Sequence, residues 1–293
     1  MDAVITYVNG NDPQWQEVYC RTTGIPALTK RYRDWGTLKY LFRGIEQYLP
    51  FVEKVYLVVA MESQVPSWVD RSVVRVVAHS EIIPAEYLPT FNSTTIEMFL
   101  HRIPGLSERF LYFNDDCFPV MDCAEEDFFP GPGKVATGFS RHLLALGMYK
   151  KQTCNADRLA RKAAGIHPGL FFIRPQHTCT PMLRSALEEV FQREEKAVLN
   201  ALSALREPKN LNQYLFTDYL YFTGRAVSRR LSNKHVSLAA ATPEQLRGFL
   251  QNPTRKLVCI NDVRLPEAQA TAVRDALLDA FETRFPGKSR FEL

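Results

Sequence analysis

The chain has 293 residues, 46% of them hydrophobic and 23% charged. That is ordinary globular composition, and it excludes a mainly disordered chain. The length suits one large domain or two small ones and needs neither disulfide nor metal merely to fold. Lys and Arg total 36 against 32 Asp and Glu, and the excess of +4 is too small to argue for nucleic-acid binding.

The first residues, Met1-Asp2-Ala3-Val4-Ile5-Thr6, lack the basic stretch and long apolar run of a secretory signal. No window reaches the ~18 uninterrupted apolar residues of a membrane span. The six cysteines form no Cys-x-x-Cys pair, so buried free thiols in a reducing cytosol are expected and zinc is not.

Residues 3–8 are apolar and β-branched and predict a buried strand. Asn9-Gly10-Asn11-Asp12-Pro13 stops it, and a helix follows near Trp15. Leu38, Leu41, Phe42, Ile45 and Leu49 recur at steps of three and four, an amphipathic helix with Asp34 as its expected N-cap and Pro50 as its end. Residues 55–60 and 73–78 predict two more strands. Thr94-Thr95-Ile96-Glu97 has capping-box spacing and predicts a helix to about Ile103. A fourth strand spans 110–113 and ends in Asn114-Asp115-Asp116; a further strand is expected over 134–139 after Pro130-Gly131-Pro132-Gly133. Residues 141–221 read as mostly helical with an interruption near 168–181. Residues 257–260 return to strand and end in Asn261-Asp262, and a last helix covers about 267–284.

Short buried strands alternating with helices predict an α/β fold, a largely parallel Rossmann-like sheet flanked by helices with a mostly helical insertion. We place the α/β core at about 1–140 and 255–293 and the insertion at about 141–254, within one catalytic domain. In such sheets ligands bind beyond the carboxyl ends of the strands. Asn9 and Asp12, then His79 to Glu81, Asn114 to Asp116, and Asn261 with Asp262 all follow predicted strands, so parallel strands would gather them on one rim. Several carboxylates and amides on a rim suit a hard divalent cation such as Mg²⁺ bridging a diphosphate. Arg33, Lys39, Arg43, Arg102 and Arg206 are candidates to neutralise phosphate oxygens. Each feature has a plainer reading. Asn-Asp-Asp is also a solvated turn, Lys39 and Arg43 four apart are also a solvated helix face, and His177 between Pro175 and Pro181 is also a structural histidine.

The run His79-Ser80-Glu81-Ile82-Ile83, Leu88-Pro89-Thr90-Phe91-Asn92-Ser93, Ile96-Glu97 and His101 through Asp116 resembles the second conserved region of the Stealth family. Asp2 through Pro13 resembles the first region, Arg31-Tyr32-Arg33-Asp34 the opening of the second, and Cys259-Ile260-Asn261-Asp262 with Phe285 through Leu293 the fourth. The third matches more loosely, at His177, Arg206 and Asn212 to Phe216. The family's His-x-Pro is here stretched to His177 and Pro181, and Trp35 stands where the family has Asn.

This resemblance implies a sugar-1-phosphate transferase of capsular or exopolysaccharide biosynthesis. It would move hexose-1-phosphate, with N-acetylglucosamine-1-phosphate the leading case, from a UDP-sugar to a glycan, lipid-linked or small-molecule hydroxyl, releasing UMP. It also implies Asp34, His177 and Arg206 as catalytic residues. Asn9, Asp12, Arg43, Asn92, Ser93, His101, Arg102 and Asn114 would line the donor, and Asp115, Asp116, Asn261 and Asp262 would hold Mg²⁺, or Mn²⁺ in its place. His177 is the first choice of general base and Asp34 the second. A cytoplasmic enzyme is expected, with peripheral association at the inner face of the membrane allowed and no nucleic-acid partner.

Two alternatives stay open: a metal-dependent glycosyltransferase that releases UDP, and a non-catalytic module whose Lys150, Lys151, Arg158, Arg161 and Lys162 bind a glycan or polyanion. On either enzymatic reading the small net charge averages an acidic rim against a basic helical region.

Overall fold

The computed structural model describes residues 1–27, 29–261, 265 and 267–293. In chain order it contains β1 (Asp2–Thr6), α1 (Pro13–Thr23), α2 (Thr29–Tyr32), α3 (Leu38–Tyr48), β2 (Lys54–Val59), β3 (Val74–Ala78), α4 (His79–Ile82), α5 (Ser93–Glu97), β4 (Arg109–Asn114) and β5 (Cys117–Pro119). These are followed by α6 (Glu125–Phe128), β6 (Val135–Thr137), β7 (Phe139–His142), α7 (Met148–Ala163), β8 (Phe172–Pro175), β9 (Thr180–Leu183), α8 (Arg184–Asn200) and α9 (Tyr214–Phe222). The last elements are β10 (Ala226–Ser228), β11 (Asn233–Ser237), α10 (Pro243–Gln251), β12 (Leu257–Asn261) and α11 (Ala270–Arg284). The fold is α/β, with a parallel-rich central sheet in the order β3-β2-β1-β4-β9.

Two expected helix starts differ. Helix α3 begins at Leu38 behind Thr37, while Asp34 Oδ1 accepts from Gly36 N (2.9 Å) in a turn of its own. Helix α5 is capped by Asn92 and is over by Glu97, with a single 3₁₀ turn at Leu100–Arg102 after it. The Glu97 carboxylate does not reach back to a cap; it accepts from Gln213 N at 2.7 Å.

The chain divides into two compact units, Met1–Asp2 with Val77–Tyr112 and Glu125–Leu231, and Ala3–Val76 with Phe113–Ala124 and Ser232–Leu293. In the first, β9 pairs antiparallel with β4, β10 runs parallel to β6, and β7 pairs antiparallel with β8. Helices α7, α8 and α9 pack on one another there.

In the second unit β11 runs parallel to β12, which pairs antiparallel with β5. The predicted stripe of α3 is core: Leu38, Leu41, Phe42, Ile45 and Leu49 are all buried. The burial goes further than the stripe, because Tyr40, Arg43 and Gly44 are buried too. Phe281 of α11 is the neighbour of both Tyr40 (ring centroids 5.1 Å) and Phe118 of β5 (4.7 Å). A Cβ on Gly44 would meet the Pro119 carbonyl oxygen at 2.6 Å, so α3 lies on β5 as closely as backbone allows.

Arg43, one of the expected donor-site residues, is engaged in this packing. Its Nε and Nη2 donate to the two carboxylate oxygens of Glu292 (2.8 Å each), and Nη1 donates to Phe285 O (2.6 Å). Removing one member of a buried ion pair strands the other without solvent. Arg43→Met is therefore expected to lower the unfolding free energy by about 3–5 kcal/mol in urea titrations. The double variant Arg43→Met with Glu292→Leu is expected to recover much of that loss.

Candidate functional site

Each unit gathers part of the expected residue set, and each is built by recognisable local chemistry. In the second unit the chain leaving β1 is fixed by side chains. Asp12 caps α1 by accepting from Gln14 N (2.9 Å) and also accepts from Ser63 Oγ (2.5 Å) and Gln64 Nε2 (2.7 Å). Burial by itself would raise the Asp12 carboxyl, but these hydrogen bonds outweigh it and hold the group below its ordinary value. Gln64 also accepts from Asn9 N (2.7 Å) and donates to Asn9 O (3.1 Å). Asn9 and Asp12 are thus tied to one glutamine.

Beside this loop lies a cavity of about 200 Å³ lined by Tyr7, Asn9, Asp34, Gly36, Gln64 and Trp68 among others. Burial, with the charges of Asp34 and Asp115 and a hydrogen bond to Asp34, raises the Tyr7 hydroxyl far above its ordinary value. Tyr7 therefore keeps its proton, and its hydroxyl donates a hydrogen bond to Asp34. The end of β1 and the turn after β4 therefore lie near each other, with Asp34, which the rim expectation did not include, beside them.

Asp116 follows at once. Its two carboxylate oxygens accept from the thiols of Cys117 and Cys259, each at 3.3 Å. Cys117 and Cys259 are cross-strand partners on β5 and β12, and their sulfurs and the Asp116 oxygen lie within 4.8 Å of one another. His235 of β11 reaches this group, with Nε2 3.8 Å from Cys259 Sγ and 3.1 Å from Asn261 Nδ2. With the amide nitrogen turned to His235, Asn261 offers its carbonyl oxygen elsewhere. Carboxylate and amide oxygens such as those of Asp115, Asp116 and Asn261 are of the hard kind that a divalent cation such as Mg²⁺ takes, and Asp34 places a further carboxylate near Tyr7. Of these, Asp116 is the one gathered with Cys117 and Cys259, whose two sulfurs are soft donors that Mg²⁺ would not use. Among the described residues the six cysteines are thiols, Cys20 exposed and the rest buried. Asp262, expected beside Asn261, lies outside the described residues. Asn114 ends β4 and is half-buried.

In the first unit a second cluster forms around Glu97, a residue the sequence reading assigned only to a helix cap. Its carboxyl is 4% exposed. Burial pushes it up to about 7, against the opposing pull of the Gln213 N–H, Arg206, His177 and the Tyr112 hydroxyl. Arg206 Nη2 donates to Ser93 Oγ at 2.7 Å. The Tyr214 hydroxyl lies 3.5 Å from His177 Nδ1 and 2.6 Å from the Tyr149 hydroxyl. Its burial raises Tyr214 well above the ordinary tyrosine value, so it remains a protonated partner for the imidazole. His177, Arg206 and Ser93 are therefore brought to one neighbourhood.

The other expected residues of this unit have different surroundings. Asn92 is a buried junction: Oδ1 caps Thr94 N (3.2 Å) and Nδ2 donates to Asn210 Oδ1 (3.0 Å), tying α5 to the loop that carries Arg206. His101 lies against Phe191 (5.0 Å), where burial and the charges of Arg102 and Arg184 push it down to about 4. Arg102 lies over the rings of Phe99 and Phe191.

Comparison with known proteins bears on what these clusters do. Residues 31–136 match the family model for Stealth protein conserved region 2, and residues 247–293 that for conserved region 4. The chain is 32% identical to a capsular polysaccharide phosphotransferase, WcwK, of Streptococcus pneumoniae, over 100% of this chain and 99% of that one. It is 32% identical to a receptor polysaccharide phosphotransferase, WefC, of Streptococcus oralis, with the same coverage. Among solved structures, the galactosyltransferase LgtC is 11% identical with a TM-score of 0.39, over 94% of this chain and 96% of that one.

The Glu97 assignment has a consequence for stability. Its folded pKa of about 7 exceeds the ordinary 4.5, so the folded state binds the proton more tightly. Stability from this group is therefore lost as pH rises from about 4.5 to about 7. Glu97→Gln keeps an acceptor for Gln213 N without the titration. Between pH 4.5 and 7.5 the unfolding free energy of the variant should gain about 3 kcal/mol on the parent, read by urea denaturation at stepped pH. A difference that stays constant with pH would show that Glu97 does not titrate in this window.

Proposed function

This chain belongs to the Stealth family and is a phosphotransferase, and we propose that it transfers hexose-1-phosphate from a UDP-sugar to an acceptor hydroxyl of a growing polysaccharide. The bond formed is between the acceptor oxygen and the β-phosphorus. The bond broken joins that phosphorus to the bridging oxygen, which leaves with UMP. N-acetylglucosamine is the sugar we assign first. The observation that carries the reading is the gathering of Asp34, Asp115 and Tyr7 beside Asp116 in a chain similar over its whole length to polysaccharide phosphotransferases.

We assign the cavity bounded by Tyr7, Asn9, Gln64 and Trp68 to the nucleotide. It offers a flat ring and amide groups, which suit a pyrimidine base. Asp115, Asp116 and Asn261 are the residues that would hold a divalent cation. When bound, that ion would supply positive charge to the diphosphate of the donor. Arg206, held by Ser93, supplies fixed positive charge for the transferring phosphoryl oxygens.

An alcohol is a weak nucleophile, and His177 is the base we assign to it. With Nδ1–H donating to the Tyr214 oxygen, whose own proton goes to Tyr149, Nε2 is left to accept the proton. Glu97 acts on this pair through charge. Ionised, it favours the protonated imidazole and therefore strengthens His177 as a base. Asp34, which accepts from Tyr7, is the second choice.

Three measurements test the proposal. The nucleotide released from UDP-N-acetylglucosamine in the presence of Mg²⁺ and a panel of oligosaccharide acceptors should be UMP; release of UDP would transfer the assignment to glycosyl transfer. His177→Ala should lower turnover by about 10²–10⁴ while the donor Kd, read by calorimetry, moves less than about threefold. Asp115→Ala combined with Asp116→Ala should lose activity and metal dependence together. Equal loss of donor affinity in His177→Ala would argue for a binding role of this histidine instead.

A further inference from the structure

The first unit carries an exposed apolar tip that neither cluster uses. Strands β7 and β8 pair with Arg141 opposite Ile173 and His142 opposite Phe172. Leu143 and Phe171 are thus the next residues beyond the last rung, and the chain on both sides stays at that end of the pair. It is apolar on both sides. Leu143, Leu144 and Leu146 precede α7, Leu170 and Phe171 precede β8, and all five are exposed, Leu146 to 71% and Leu170 to 77%. Single exposed leucines are common, whereas a contiguous group brought together by strand register marks a surface that meets something apolar.

The charge around the tip names the partner. Between Gly138 and Gln176 there are seven Lys and Arg against one acidic residue, Asp157. Asp157 is buried and accepts from Arg161 Nε (2.8 Å) and Ile173 N (3.0 Å), so it cancels Arg161, and Lys162 pairs with Glu194 (2.6 Å); the other five are Arg141, Lys150, Lys151, Arg158 and Arg174. Lys150 and Arg174 act electrostatically on His142 at the last rung, and the Arg174 guanidinium lies over Tyr149 (5.2 Å). Lys151 is exposed one position further along α7. Leucines at a tip with a collar of long basic side chains are the arrangement of an interfacial anchor. The apolar groups enter the acyl boundary and the cations remain at the headgroups. Among the described residues no helix is long and apolar enough to cross a membrane, so any membrane contact through them is peripheral.

We propose that the Leu143–Leu146 and Leu170–Phe171 tip, with its basic collar at Lys150, Lys151 and Arg174, docks this unit on an anionic lipid bilayer. The surface continues into the His177 cluster through Tyr149, whose hydroxyl contacts that of Tyr214. Docking here therefore brings the headgroup plane close to the residue assigned as base. The docking itself does not depend on the reaction assigned above.

The test is flotation of the full chain with vesicles of phosphatidylcholine alone or phosphatidylcholine with phosphatidylglycerol at three to one, in ~100 mM salt. The chain should float with the anionic vesicles and at most weakly with the neutral ones. Lys150→Glu with Lys151→Glu should lower the partition coefficient at least about tenfold, since each basic residue near an anionic surface contributes roughly fivefold. Leu144→Asp with Leu146→Asp should lower it by a similar factor. Circular dichroism and Tm should match the parent, because the replaced side chains are at the surface. If a variant fails to fold, ~0.5 M salt on the parent replaces the charge arm, and Leu170→Ser replaces the apolar arm. No flotation, equal flotation on both lipids, or leucine variants that float like the parent would each overturn the proposal. The last result would leave only electrostatic adsorption, and a parent that fails to float but captures a soluble protein would point to a protein partner.

Discussion

A buried guanidinium holds the second unit together. Arg43 projects from the middle of α3, where water cannot solvate it, and three of its nitrogens find oxygen: both carboxylate oxygens of Glu292 and the carbonyl of Phe285. Burying such a pair contributes little net stability compared with an apolar substitute. It does, however, make every misplacement costly, since a shift of either partner strands a charge. The C-terminal segment is therefore fixed against α3 at two points seven residues apart. The same helix meets Pro119 through Gly44, and α11 meets Tyr40 and Phe118 through Phe281. With α3, β5 and α11 locked, the turn between β4 and β5 has little freedom. Asp115 and Asp116 occupy that turn.

What that rigidity supports is electrostatically unfavourable. Asp34 and Asp115 both act on Tyr7, and Asp116 sits next along the chain. Like charges gathered in one place repel, and the structure softens the repulsion with donors: Tyr7 to Asp34, two thiols to Asp116. Neutral donors lessen the cost without neutralising the charge. A cation is the partner that would remove it, which is why the donor set and its rigidity point the same way. The first unit handles one of its buried acids differently. Glu97 is surrounded by a backbone N–H, a tyrosine, an arginine and a histidine, yet burial still keeps its carboxyl near neutrality in pKa. A group poised there changes charge with small changes in its surroundings, including the charge of His177.

The sequence made the strands of the expected core and the amphipathic α3 legible, whereas β8, β9, β10 and β11 lie in the stretch expected to be mostly helical. The α3 stripe follows from a spacing of 3.6, while β1 and β2 follow from short apolar, β-branched runs and the turns after them from their polar residues. What it hid depends on tertiary contact. Arg43 looks like a solvated helix residue until the C-terminal segment is folded onto α3. Glu97 satisfies a capping-box pattern, yet Asn92 takes the cap and frees Glu97 for Gln213. Cys117 and Cys259 are 142 positions apart, so motif spacing cannot pair them; only the antiparallel register of β5 and β12 does. Gln64, which organises Asn9 and Asp12, carries no motif at all. The family resemblance, by contrast, reached His177 and Arg206, whose neighbourhood with Ser93 no local pattern could have indicated.

Net charge shows the same limit of averaging. The chain as a whole carries +4, while the stretch from Gly138 to Gln176 alone carries more positive charge than that, so the remainder is slightly acidic. An enzyme that handles an anionic donor gains from cations near the phosphates, but most of these residues are on α7 and around the β7–β8 tip. Of them only Arg174 touches the His177 cluster, through Tyr149. Their placement is better explained by an extended anionic surface than by a single small anion, since a diphosphate can engage only two or three of them. The exposed leucines decide between kinds of surface. A soluble polyanion would leave them in water, whereas a bilayer buries them and places the cations at its headgroups.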